Sequence, residues 1–85
     1  MADVAVTVRL MPEGPEVDLA GLEEEVRRRI RVHSVEREPI AFGLSALRVV
    51  TTVQDAEGGT ERLEKTLSGI PGVGNVQVIM VTRLL

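Results

Sequence analysis

Apolar and polar residues alternate from the start of the chain. Between Asp3 and Met11, one side carries Val4, Val6, Val8 and Leu10, and the other Ala5, Thr7, Arg9 and Met11. A period of two with β-branched residues predicts a half-buried strand. "MPEGPEVD" breaks it with two prolines and a glycine. The period then becomes helical, with Leu19, Leu22, Val26 and Ile30 on one stripe. Asp18 is the predicted N-cap, because its short carboxylate accepts from free N–H groups of the first turn. Val17 and Leu22 stand at the spacing of a hydrophobic staple. Glu23 to Glu25 lie toward the start and the arginines toward the end, an order that suits the helix dipole. Gly21 costs this helix about 1 kcal/mol relative to alanine without cancelling the pattern.

Alternation returns twice. Val32 to Glu38 predicts a weaker strand that ends at Pro39, with His33 as a surface residue. Leu44 to Gln54 predicts a strong one, with Leu47, Val49, Thr51 and Val53 opposite Arg48, Val50, Thr52 and Gln54. "DAEGGT" reads as a loop into a second helix, where Leu63, Leu67 and Ile70 follow the i, i+4, i+7 rule. The glycines and proline of "SGIPGVGN" stop that helix. Asn75 to Leu84 is a last strand rich in Val, Ile and Met.

The order β-α-β-β-α-β in residues 1–85 fits a single α+β domain. Two split βαβ units with right-handed crossovers give a ferredoxin-like βαββαβ sandwich, a four-stranded antiparallel sheet in the order 4-1-3-2 with both helices on one face. Fold alone does not give function, so the residues must supply it.

Composition removes several tenants of this fold. The chain has no Cys, which excludes a disulfide framework and the CxxC of metal carriers. One His and scattered Ser and Thr cannot assemble a nucleophile, base and orienter, so no enzyme is expected. Asp55 and Glu57 form a loop carboxylate pair that lacks further ligands, so neither metal nor cofactor is expected. A net charge of −3 and a single aromatic residue argue against direct nucleic-acid binding. Membrane binding is not expected either, because the N-terminus alternates and is neither a leader nor a span. A soluble cytoplasmic protein is the expectation. The lone aromatic, Phe42, stands in "EPIAFGLSAL" after Pro39 and beside Gly43, in a turn and outside every apolar face.

"PIAFGLSAL", "DAEGGTE", "LSGIPGVGNVQV" and the ending "VTRLL", in this order and spacing, resemble the archaeal elongation factor 1-beta family. The resemblance runs from "VAVTVRLMPEGPEVDL" to the C-terminus, and extends to the catalytic domain of the eukaryotic exchange subunit. It implies a guanine-nucleotide exchange factor of translation elongation, whose partner is the GTPase elongation factor 1-alpha with its GDP or GTP and Mg. By position, the aromatic that contacts the second GTPase domain falls on Phe42, with Gly43 beside it. The eukaryotic lysine that reaches toward the magnesium site falls on Arg83, with Thr82 next to it. Arg83 keeps the charge but presents a planar fork in place of a compact ammonium. The predicted sheet order puts Asp55 at the Arg83 end and Phe42 diagonally opposite. A regulatory small-molecule module and a ribosome- or RNA-associated factor are the other readings of this fold.

Overall fold

The computed structural model describes residues 3–41, 43–54 and 59–83. Its elements are β1 (Asp3–Pro12), α1 (Leu19–Arg29), β2 (Val32–Pro39), β3 (Ser45–Gln54), α2 (Gly59–Ser68) and β4 (Val73–Arg83). The strands form one antiparallel sheet in the order β2-β3-β1-β4, which is the expected 4-1-3-2 read from the other edge. With its two helices, this is the βαββαβ ferredoxin-like arrangement.

The period-two pattern decides which face of the sheet meets the helices. Val4, Val6, Val8 and Leu10 of β1 are buried, and the register sets Val8 against Val49 and Leu10 against Leu47, both wholly buried. Leu22 and Val26 of α1 and Leu63 and Leu67 of α2 close the same cluster. Thr51 also lies on this face and is buried, which its hydroxyl makes tolerable by donating to the Arg31 carbonyl. Ile70, expected at the end of the second helical stripe, is buried but lies past α2, in the turn toward β4.

Asp18 caps α1, its carboxylate accepting from the Ala20 N–H at 3.1 Å. The acidic residues do not occupy the first turn as the dipole argument expected. Glu23 and Glu25 instead sit one turn before the arginines and pair with them, Glu25 with Arg28 at 3.0 Å and with Arg29 at 3.4 Å, Glu23 with Arg27 at 3.9 Å. The arginines do lie in the last turn.

The last strand begins two residues earlier than expected, at Val73, and carries register shifts opposite Thr7/Val8 and Met11/Pro12. The first shift leaves Ile79 as an extra residue between Val78, which pairs with Val8, and Met80, which pairs with Thr7. The outer face, away from the helices, is held by charge. Arg9 of β1 reaches Glu38 of β2 at 2.8 Å, and Arg48 of the intervening β3 approaches the same carboxylate at 3.7 Å. Ala46 pairs with Glu38 in the ladder and is fully buried although it lies on this outer face.

Candidate functional site

The expected site residues fall at two ends of the sheet. At one end β2 turns into β3. The Ile40 N–H donates to the Leu44 carbonyl at 2.8 Å, and the Leu44 N–H donates to the Ala41 carbonyl at 3.0 Å, closing a short hairpin loop. Gly43 lies in it with φ 75, a conformation that L side chains rarely adopt. A Cβ at Gly43 would meet nothing within 4 Å, so solvent or a partner has open access to this backbone. Ile40 is also exposed there. Phe42 lies outside the described residues. Pro12, Gly14 and Val17 share a concavity of about 60 Å³ with Gly43 and Leu44.

The opposite end holds Arg83, the last described residue of β4. It pairs with Val4 of β1, and Thr82 pairs with Ala5. Both are exposed. Gln54, which ends β3, pairs with Asp3 beside them, so β3 leaves the sheet at the Arg83 end, as expected. Asp55 itself lies outside the described residues, as does the rest of the segment up to Gly59. From Ser45 to Gln54, β3 spans roughly 30 Å at the usual rise per residue. Gly43 and Arg83 are separated by that length and by the width of the sheet from β3 to β4, so they cannot share a pocket. Thr82 and Arg83 are brought together; Gly43 is kept apart from them.

Sequence reasoning did not foresee a further feature at the Arg83 end. An open cleft of about 430 Å³ lies between the end of β3 and the start of α2, lined by Arg31, Thr51, Gln54, Gly59, Arg62 and Thr66 among others. Arg31 and Arg62 are 31 positions apart in the chain and face the cleft from β2's approach and from α2; neither forms a salt bridge among the described residues. No local spacing signals such a meeting. Among the described residues, no group of three His, Asp or Glu side chains is placed to hold a metal ion, and no helix is long and apolar enough to cross a membrane.

The described residues thus form a small βαββαβ domain whose exposed Gly43 and Arg83 stand at opposite ends of its sheet. Residues 5–84 match the EF-1 guanine nucleotide exchange domain. Over its whole length the chain is 52% identical to elongation factor 1-beta of Methanothermobacter thermautotrophicus, with the whole of that protein covered. It is 46% identical to the protein of the same name from Methanosphaera stadtmanae, again over all of both chains, and 44% identical to that of Methanosarcina acetivorans, over 99% of this chain and 100% of the relative. The chain belongs to the EF-1 guanine nucleotide exchange family, and its function is guanine-nucleotide exchange in translation elongation. Exchange of a bound nucleotide makes and breaks no covalent bond, in keeping with the missing nucleophile and base.

Proposed function

We propose that residues 1–85 act in the cytoplasm as one exchange domain that promotes GDP release from elongation factor 1-alpha by holding it at two points. Phe42, with the open Gly43 backbone beside it, anchors the second domain of the GTPase. Arg83, flanked by Thr82 and by the loop that carries Asp55, acts at the nucleotide domain near its magnesium. The observation that supports this division is the diagonal separation of the Gly43 and Arg83 ends, which suits contacts to two domains of one partner. Neither nucleic acid nor membrane takes part.

The mechanism is linkage. Exchange factor and nucleotide weaken each other's binding to the GTPase by the same factor. Speeding nucleotide release roughly a thousandfold means lowering its barrier by about 4 kcal/mol. A guanidinium brought toward the magnesium and phosphate region supplies part of this by competing with the metal for the same negative charge. The Phe42 anchor supplies affinity that does not depend on nucleotide, so it holds the complex through the empty state. Release of a fluorescent GDP from elongation factor 1-alpha tests both roles. Phe42→Ala raises the concentration needed for half-maximal acceleration, whereas Arg83→Ala lowers the maximal rate. Unchanged release by the double variant would overturn the assignment of both residues.

A further inference from the structure

The sheet has two edge strands, and they are protected differently. β2 presents His33, Glu36, Arg37, Glu38 and Pro39 within eight residues, together with a register shift between Val32 and Ser34. Charges, proline and bulges are the devices that stop an edge from pairing with another chain. β4 has no charge and no proline from Asn75 to Thr82. Apart from Arg83 near its end, its devices among the described residues are the two register shifts, one of them at Ile79 itself, and Ile79, Met80 and Val81 are 39%, 53% and 50% exposed. Met80 pairs with Thr7 on the outer face. Val81 pairs with the wholly buried Val6 on the helix side, so the apolar layer of the core runs out into solvent along this edge.

We propose that this edge pairs with the same edge of a second copy, antiparallel, making one continuous eight-stranded sheet. The pairing is self-complementary. A two-fold axis between Ile79 and Met80 sets Ile79 against Met80, Val78 against Val81, and Arg83 against the uncharged Val76, so no like charges meet. No feature foreign to this chain is needed to complete it. β4 contributes 11 residues, whereas a standard stable interface uses roughly 20–30 a side. The dimer is therefore weak and concentration-dependent, with a dissociation constant on the order of 100 μM. Because Arg83 and Thr82 lie in the paired strand, the dimer also hides the end assigned to nucleotide release; this clause alone rests on the exchange reading above.

Sedimentation equilibrium of the chain alone, from about 10 μM to about 1 mM so as to bracket that constant, tests the proposal without the GTPase. The chain is expected to pass from monomer toward dimer over this range. Met80→Lys and Met80→Glu, checked for folding by circular dichroism, should each weaken self-association at least tenfold. Their equimolar mixture should associate again, because opposite charges then face each other across the axis. A chain that stays monomeric to the top of the range overturns the proposal. So does self-association that both variants leave untouched, since it would use another surface. If the chain is monomeric and Met80→Lys instead weakens binding to elongation factor 1-alpha, the edge belongs to the GTPase and the second copy is rejected.

Discussion

The two ends of the sheet differ in how they are made. At the Gly43 end the backbone is tied to itself. The β2–β3 hairpin closes on its own hydrogen bonds, the Glu13 N–H donates to the Gly72 carbonyl at 2.9 Å, the Val17 N–H to the Gly14 carbonyl at 3.3 Å, and Asp18 caps α1. At the Arg83 end the chain leaves a cleft between β3 and α2 and presents arginines from three elements or their approaches, Arg31, Arg62 and Arg83. Glu13, Glu16 and Asp18 gather at the tied end. Arg27, Arg28 and Arg29, in the last turn of α1, are offset by Glu23 and Glu25, so the cleft and the end of β4 owe their basic character to Arg31, Arg62 and Arg83.

If the tied end is a platform and the basic end is where release is driven, substitutions at the two ends must fail in different ways. The largest effect is expected from Gly72→Val. Gly72 has φ 97, and a Cβ there would lie 3.3 Å from a Val17 methyl, so backbone strain and crowding add to roughly 2–4 kcal/mol lost in urea unfolding. GDP release by the fraction still folded should be unchanged. Arg83→Ala should do the reverse, slowing stimulated GDP release at least tenfold, equivalent to about 1.4 kcal/mol, with the unfolding midpoint preserved. Arg83→Lys should restore most of that rate, because the charge matters more than the fork if the partner's phosphate region is the target. Asp18→Ala should cost about 1 kcal/mol of stability through loss of the cap, and nothing in release rate. The smallest effect is expected from Glu38→Gln. It removes a partly exposed bridge to Arg9 and Arg48, worth at most about 1 kcal/mol and readable as a midpoint shift that shrinks in high salt. Slower release in Gly72→Val or an unfolding shift in Arg83→Ala would erase the contrast between the ends.

The sandwich was legible because strands β1 and β3 alternate without a fault and Asp18 stands where a cap belongs. The topology expected from that pattern puts Phe42 diagonally across from Arg83; Phe42 lies outside the described residues, and its neighbour Gly43 stands at the end of the sheet opposite Arg83. β4 was less legible. "VQVIMV" is apolar at nearly every position, so it carries no alternation by which to locate the extra residue at Ile79. Arg9 reaches across β3 to Glu38, a contact between strands that no window along one strand contains. The same holds for Arg31 and Arg62 at the cleft. The glutamates of α1 suggested a dipole and proved to be a ladder, since only their offset from the arginines separates the two readings. The roles of Phe42 and Arg83 came from resemblance to a family, and no pattern of hydrophobicity or charge could have supplied them.

The pairing of Val4 with Arg83 has a practical side. The first and last strands are neighbours in the ladder and run in opposite directions, so Asp3 and Arg83, the first and last described residues, lie at the same end of the sheet. A purification tag, a fluorophore or a second domain attached close before Asp3 or close after Arg83 therefore starts from the basic end. A label in the Gly14–Glu16 turn is no safer, because Gly14 shares a concavity with Gly43 at the other proposed docking point.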